Sequence, residues 1–146
     1  MGKRVYFMVN LDIKDGKLDA FKDIAQAMIA VTVAEPGALA YEWYFSADRT
    51  RCRLVESYAD ENAVLAHIAG KAVAELVPKL LDVSNITGFE VYGDTGAKAA
   101  ETLKAFGAAL YQPWDGLRRR CSASNILTGN ILKGESRKQP LRGSES

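Results

Sequence analysis

The chain has 146 residues, of which 48% are hydrophobic and 25% are charged, and its formal net charge at pH 7 is +1. A chain of this size can bury a hydrophobic core as one domain, without disulfides or metal ions to support it. It contains no run of about 18 apolar residues, so the sequence predicts no membrane-spanning helix. Its two cysteines, Cys52 and Cys121, lack the spacing of a disulfide framework or a zinc ribbon.

The N-terminal residues, MGKRVYFMVNLDI, alternate between apolar and other side chains in the manner of a β-strand. A secretory signal peptide would instead contain a continuous apolar block followed by small residues. We therefore expect a cytoplasmic protein that does not associate with a membrane.

The charge is unevenly distributed. Residues 118–146 contain seven basic and two acidic residues, so this segment has a net charge of +5 while residues 1–117 have −4. The segment is rich in Ser, Gly and basic residues and poor in apolar ones, which is typical of disorder. We predict one domain over 1–117 and a disordered basic tail over 118–146. The arginine cluster could contact nucleic acid, but the tail has no aromatic residue to stack on bases and the domain is acidic, so no nucleic-acid partner is expected.

The first half of the chain predicts three strands and one helix. Residues 4–13 are rich in β-forming residues and predict a strand. Apolar residues at helical spacing over 18–34 predict a helix, which the sequence EPG ends. Two aromatic or β-branched segments, 38–46 and 51–59, are separated by the short turn ADRT and predict a hairpin.

The second half predicts two more helices and one more strand. Asp60 is a suitable N-cap for a helix that is interrupted at Gly70 and bent or split near Pro78. Residues 83–93 predict a fourth strand, and 95–109 a last helix. The order β-α-β-β-α-β with an additional C-terminal helix predicts an α+β fold of the ferredoxin-like class, with an antiparallel sheet covered by helices on one face.

Both faces of the predicted sheet contain apolar or aromatic residues. In the first strand Val5 and Phe7 point to one face, whereas Tyr6 and Met8 point to the other. Helices can cover only one face, and an exposed face would normally alternate to polar residues. The second face therefore predicts a homodimer in which the sheets of two copies pack on each other.

The inventory of motifs excludes several kinds of chemistry. His67 is the only histidine, so one chain cannot supply a two-histidine iron site or the HExxH zinc motif. The sequence has no GxSxG nucleophile motif, no GxGxxG dinucleotide motif and no P-loop. What remains is a pocket of aromatic residues and a few polar groups, which would suit a flat hydrophobic ligand.

At residues 35–68 the sequence EPGALAYEWYFSADRTRCRLVESYADENAVLAHI resembles the central region of the antibiotic biosynthesis monooxygenase family. The similar parts are the Pro-Gly before an aromatic strand containing YE, the strand LVESY, and the helix that begins ADENAVLAHI. The resemblance covers roughly residues 4–93, and GFEVYGDTGAKAAETLKAFG is similar to a C-terminal extension found in one subgroup.

The resemblance implies a dimeric α/β barrel and an enzyme that oxygenates a quinol or polyphenol with dioxygen, using neither flavin nor metal. No cofactor is therefore expected, because the deprotonated substrate itself can reduce dioxygen. Two alternatives stay open on the same fold. The first is haem binding and degradation, and the second is a dimeric binding or stress-response protein without catalytic activity.

Two residues are candidate catalytic groups by the resemblance. His67 occupies the position of a histidine common in the family's AH motif, which implies a general base. From its helix position alone it could equally be a partly exposed residue, or a core histidine bonded to a backbone carbonyl. Asn10 lies near the place where haem-degrading relatives have a functional asparagine, although an edge or turn role is also open.

Four further residues are candidate substrate contacts. Tyr44 and Tyr92 could donate a hydrogen bond to a substrate oxygen. Glu56 and Tyr58 share one face of the third strand; Glu56 could also form an ion pair with an arginine across the dimer. Family members often have Trp where Tyr58 stands, and this departure disfavours a haem mechanism.

Overall fold

A computed structural model of the chain describes residues 3–119, and residues up to Trp114 form one compact unit. Its sheet has the strand order β2-β3-β1-β4-β5; all neighbours are antiparallel except β4 and β5, which are parallel. The strands are β1 Val5–Ile13, β2 Ala38–Phe45, β3 Arg51–Tyr58, β4 Ser84–Tyr92 and β5 Ala109–Tyr111. The first four have the ferredoxin-like order, so the predicted fold class is confirmed, and the sheet is open rather than closed into a barrel.

The helices are α1 Leu18–Thr32, α2 Glu61–Ile68, α3 Val77–Val83 and α4 Gly96–Ala105, with a π-helical segment at Ala72–Leu76. Asp60 caps α2 as predicted, because its carboxylate accepts a hydrogen bond of 2.9 Å from the amide of Ala63. Pro78 lies in the first turn of α3. Amides in the first turn of a helix have no partner within the helix, so the absence of an N–H group in proline costs no helical hydrogen bond. Of the two outcomes predicted near Pro78, the helix is therefore split rather than bent, and α3 begins there.

The hydrophobic core lies between the sheet and the helices. Alternate side chains of β1 and β3 point towards the helices and are buried. Burial of a large apolar side chain contributes roughly 1.5–3 kcal/mol, so this face carries much of the stability. On this face the buried side chains of these strands are Val5, Phe7, Val9, Leu11, Cys52, Leu54, Glu56 and Tyr58, and those of the helices include Phe21, Met28, Val64 and Leu80.

The C-terminal part of the unit differs from the sequence prediction. The last helix ends at Ala105, not at residue 109, because Gly107 adopts a φ of 86° that reverses the chain. The amide of Ala108 then bonds to the carbonyl of Leu103 at 3.0 Å. Residues Ala109–Tyr111 add a short fifth strand beside β4.

The second face of the sheet is not covered by any element of residues 3–119. Tyr6 and Met8 of β1 are half-buried on this face, while Tyr44 is 54% and Tyr92 37% exposed. We call it the open face.

The dimer predicted from the open face stays a prediction, as does the predicted domain boundary at residue 117. The predicted tail lies outside the described residues apart from its first two positions. Among the described helices, none is long and apolar enough to cross a membrane.

Candidate active site

A cluster of polar side chains is buried between β2, β3, α2 and the turn that follows α1. Glu56 lies on β3 between Leu54 and Tyr58 on the helix-covered face, and it is 4% exposed. His67 lies on the buried face of α2 and is 3% exposed. Glu35 precedes the Pro-Gly turn, and its side chain is 23% exposed. The cluster therefore extends from the protein surface to the core.

The imidazole of His67 lies between two carboxylates. Its Nδ1 is 2.9 Å from Oε2 of Glu35, and its Nε2 is 3.4 Å from Oε1 of Glu56. The hydroxyl of Tyr58 donates a hydrogen bond of 2.7 Å to the same Oε1 of Glu56. Buried charges need partners of this kind, because the loss of hydration is otherwise several kcal/mol for each ion.

The approach of α2 to the Pro-Gly turn depends on a glycine. A Cβ atom added at Gly37 would lie 2.4 Å from the Cβ of Ala63, which is too close for two carbon atoms. The amide of Ala59 also bonds to the carbonyl of Gly37 at 2.9 Å, and this contact fixes the start of α2 against the turn. Glycine at 37 is therefore what lets Glu35 and His67 meet.

Burial determines the ionisation of the polar groups. Loss of solvent raises the pKa of Glu56 to about 7, and the neighbouring His67 and the hydrogen bond from Tyr58 oppose this effect. Burial also raises the pKa values of Tyr41 and Tyr58, with a further contribution from the charge of Glu56. Both phenols thus remain hydrogen-bond donors at neutral pH, while Glu56 can gain or lose a proton there.

The cluster borders a cavity of about 80 Å³ between the sheet and the helices. Of its 17 lining residues, only Tyr41, Glu56 and His67 have polar side-chain groups, so the wall is otherwise apolar. The ring of Tyr41 is 5.7 Å from that of His67 between centroids. Its hydroxyl is buried and faces the hydroxyl of Thr32, but neither of these two groups makes a hydrogen bond of normal geometry within residues 3–119.

This arrangement can perform acid–base chemistry on a hydrophobic ligand. A carboxylic acid with a pKa near 7 can accept and return a proton at neutral pH, and an apolar wall keeps competing water away. A buried phenol that lacks a normal hydrogen bond can donate one to a developing oxyanion. Nowhere in residues 3–119 do three or more His, Cys, Asp or Glu side chains form a group that could hold a metal ion.

The structure divides the six residues proposed from the sequence between the two faces of the sheet. His67, Glu56 and Tyr58 meet in the buried cluster, and the first two of them also line the cavity. The contacts of Glu56 within its own chain are with Tyr58 and His67; the predicted ion pair across a dimer stays a prediction. His67 is bonded to a carboxylate, not to a backbone carbonyl, and it is not partly exposed.

The other three residues, Asn10, Tyr44 and Tyr92, lie on the open face and do not reach the cavity. Asn10 alternates with the buried Val9 and Leu11, so its side chain points away from the helices. Asn10 and Tyr44 line a separate polar cleft of about 500 Å³. Tyr92 stacks on Tyr111, with ring centroids 5.4 Å apart.

Two residues of the cluster were not predicted. Glu35 was assigned only to the end of α1, and its contact with His67 spans 32 positions that no local pattern connects. Tyr41 lies in the predicted strand 38–46, and its sequence neighbours do not indicate that its hydroxyl would lack a normal hydrogen bond. One signal could have indicated Glu35. It is a carboxylate immediately before Pro-Gly, and the sequence predicts a helix with the chain's only histidine elsewhere in the same domain.

The chain belongs to the antibiotic biosynthesis monooxygenase family, because the sequence model described as "Antibiotic biosynthesis monooxygenase" matches residues 4–79, more than half of the chain. The matched range contains Glu35, Tyr41, Glu56 and His67. A search of curated proteins finds no match.

Solved structures share the fold. MupZ from Pseudomonas fluorescens is 23% identical with a TM-score of 0.68, and the likeness covers 81% of this chain and 96% of MupZ. Rv0793 from Mycobacterium tuberculosis is 23% identical with a TM-score of 0.54, covering 60% of this chain and 91% of that one. A protein of Nitrosomonas europaea, provisionally named an antibiotic biosynthesis monooxygenase, is 23% identical with a TM-score of 0.56, covering 62% and 88%. At this level of identity the likeness concerns the fold.

Proposed function

We propose that this protein is a monooxygenase that acts on a quinol or related hydroxyaromatic compound without a cofactor. The observation that carries the proposal is the buried Glu56–His67 pair beside an otherwise apolar cavity, next to the hydroxyl of Tyr41, which lacks a normal hydrogen bond. Membership of the family supports the class of reaction, and the acid–base character of the cluster supports a mechanism in which the protein moves protons.

The chemistry requires a base more than a redox group. Removal of a hydroxyl proton makes the substrate an anion that can pass electrons to dioxygen, after which a carbon–oxygen bond forms and gives a peroxide. The peroxide regains that proton. Loss of the proton on the peroxide-bearing carbon then breaks the O–O bond, and the released hydroxide takes up this proton as water. One quinol and one dioxygen thus give one hydroxyquinone and one water, with all four electrons supplied by the substrate.

Each polar group in the cavity has a role in this scheme. Both contacts of Glu56 involve Oε1, so Oε2 is the oxygen that would accept the substrate proton. His67 stabilises the carboxylate and shares its proton, so the pair, rather than the imidazole alone, is the base. Tyr41 would donate to the oxyanion of the substrate, and an interaction of this kind accelerates reactions by about 100-fold or more.

The cavity must enlarge to admit a substrate. Its volume of about 80 Å³ is well below the roughly 300–1,000 Å³ of usual ligand sites. The wall opposite the sheet includes Val73 from the π-helical segment, and Val77 and Leu81 from α3. Single-turn π-helices are frequent at functional sites. We expect this wall to move outwards when substrate binds.

We also propose that two copies of the chain form a homodimer through the open face. Tyr44 and Tyr92 are large exposed aromatic residues on this face, and half-buried Tyr6 and Met8 lie between them in the sheet. Glu42, Glu90 and Arg53 lie on the same face, so the surface is mixed. Large exposed aromatic side chains with a polar surround often mark an interface. A second copy of the chain would bury this surface with the same residues on both sides.

Oxygen uptake tests the proposed reaction. The purified protein is incubated with a panel of quinols and polyphenols, with a chelator and no added flavin, while dioxygen is followed with an electrode. A matched pair of variants, Tyr41→Phe and Tyr44→Phe, removes one hydroxyl from each face of the sheet. We expect uptake by the parent, a loss of about 100-fold in kcat for Tyr41→Phe, and parental kcat for Tyr44→Phe.

The same experiment separates the two alternative functions. Absence of uptake with every substrate, together with a new Soret band and turnover after addition of haemin, would favour haem degradation. Absence of both would favour a binding protein without catalysis. Equal loss in Tyr41→Phe and Tyr44→Phe would contradict the assignment of the reaction to this cavity.

A further inference from the structure

The imidazole of His67 meets a different acceptor at each ring nitrogen, and the two acceptors are in different surroundings. Glu35 faces Nδ1 from the turn after α1 and is partly solvated, whereas Glu56 faces Nε2 from β3 and borders the cavity. Among residues 3–119, the phenols of Tyr58 and Tyr41 also face the ring, with ring centroids 5.0 and 5.7 Å away.

We propose that Glu35 is a positioning residue that keeps a proton on Nδ1 of His67 and so confines the exchangeable proton of the ring to Nε2, the nitrogen facing Glu56 and the cavity. This inference rests on the proposed use of the Glu56–His67 pair as the base. Glu35 itself is not among the residues that line the cavity, so a substrate bound there would not touch it.

The geometry favours this tautomer for two reasons. The Nδ1–Oε2 distance of 2.9 Å is that of a good N–H···O hydrogen bond, whereas the Nε2–Oε1 distance of 3.4 Å is long. An ionised carboxylate is only an acceptor, so the nitrogen it contacts must carry the proton. Nε2 is therefore free to give up its proton or take one from Glu56.

Solvation makes Glu35 the better anchor. Its side chain is 23% exposed, against 5% for that of Glu56, so it keeps part of its hydration when it is charged. A charge held at the surface end of the cluster stabilises a protonated ring without adding a second charge to the cavity. The pair at the inner end can then share one proton between Nε2 and Glu56.

The lone histidine makes the proposal directly measurable. Long-range ¹H–¹⁵N correlation spectra of the labelled protein contain one imidazole, so the protonation of each ring nitrogen is followed without assignment of other histidines. Spectra are recorded over pH 5–9 for the parent, for Glu35→Gln, and for Glu61→Gln as a control on α2. Unlike Glu35, Glu61 has no described contact with His67; its carboxylate lies near Gly96 instead.

We expect Nδ1 of the parent to carry a proton at every pH in this range, and the Glu61→Gln spectra to match. The amide of Gln can donate or accept, so in Glu35→Gln the neutral ring should populate both tautomers. A parent ring with its proton on Nε2 alone, or a Glu35→Gln spectrum identical with that of the parent, would overturn the inference.

Kinetics then connect the tautomer to turnover. We expect Glu35→Gln to lower kcat and displace its pH profile with little change in KM, since the residue does not touch the substrate. If the parent oxygenates no substrate, the proposed function fails, and the spectra still decide the role of Glu35. If the parent is active and Glu35→Gln keeps the parental kcat and pH profile, the positioning role fails alone.

Discussion

Glu56 illustrates how one buried side chain combines stability with chemistry. Its carboxyl group has lost nearly all contact with water, and its folded-state pKa is about 7 rather than the ordinary 4.5. The folded protein therefore binds this proton more tightly than the unfolded chain does. A group with this property is unfavourable for stability in its charged form, and the same property makes it a base that works at neutral pH.

The pH dependence of stability follows from the sign of that shift. The stabilisation from protonated Glu56 is complete below pH 4.5 and is lost as the pH rises through about 7. Between pH 5 and pH 8.5 the free energy of unfolding should fall by about 2 kcal/mol through this group. Denaturant titrations should show this fall in the parent and its absence in Glu56→Gln. The exposed control Glu101→Gln should behave as the parent; an equal slope in all three proteins would contradict the assignment.

Removal of the Tyr41 hydroxyl should change stability and activity in opposite directions. This hydroxyl is buried without a normal hydrogen bond in the described part of the chain, and an unsatisfied buried hydroxyl destabilises a protein by roughly 1–3 kcal/mol. Tyr41→Phe should therefore unfold at the same or a higher denaturant concentration than the parent while its turnover falls. A clear loss of stability would mean that the hydroxyl has a structural partner and is not reserved for a ligand.

Among the secondary-structure elements, the contact between α2 and the Pro-Gly turn positions the cluster. In Gly37→Ala the added Cβ would meet the Cβ of Ala63, so α2 must move away from the turn. We expect a loss of roughly 1–3 kcal/mol in the free energy of unfolding, together with changed imidazole signals of His67. Gly116→Ala adds the same methyl group where nothing lies within 4 Å, and should be neutral. Equal behaviour of the two variants would show that the close approach is unimportant.

The sequence predicted the elements whose local signals are strong. Alternation along β1 and β3, the helical spacing of α1 and the cap at Asp60 each depend on neighbours in the chain, and they correspond to the observed elements. The predicted interruption at Gly70 and the predicted split near Pro78 also correspond to observed breaks, but no local pattern indicated that Ala72–Leu76 would be π-helical. The strand β5 has only three residues and depends on pairing with β4, so no periodicity indicates it.

The site was less predictable than the fold, because its contacts join residues that are far apart in the chain. Alternation placed Glu56 and Tyr58 on one face of β3, and the family resemblance indicated His67. The partnership of His67 with Glu35 arises from tertiary packing across 32 positions. The sequence does not distinguish Asn10 and Tyr44 from Glu56 and Tyr58, because all four are polar or aromatic residues of predicted strands. Only the tertiary structure shows that the helices cover the opposite face of the sheet, so that Asn10 and Tyr44 lie away from the cavity.

For the whole molecule, the open face should determine the oligomeric state. Val55 and Met8 are paired near its centre, and Val55 is half-buried. We predict that light scattering gives twice the chain mass of 15.9 kDa for the parent, and that Val55→Asp yields a folded monomer. The control Val33→Asp, at a position 79% exposed after α1, should remain dimeric. A monomeric parent at micromolar concentration would contradict the proposed interface.

The two faces of the sheet thus differ in what they contain. The covered face contains the core, the cavity and the acid–base cluster, while the open face is the surface through which we propose that two copies associate. Because the two faces use alternate residues of the same strands, a substitution on one face should leave the other largely intact. On the covered face, we propose, a proton acceptor formed by Glu56 and His67 drives oxygenation.

The pH dependence of oxygen uptake tests this claim most directly. With a quinol at saturating concentration, kcat of the parent should rise as the pH increases through about 7, because Glu56 must be ionised to accept the proton. In Glu56→Gln the rise should be absent and kcat lower by about 100-fold or more. A Glu56→Gln variant that retains both the parental kcat and the rise through neutral pH would contradict the account.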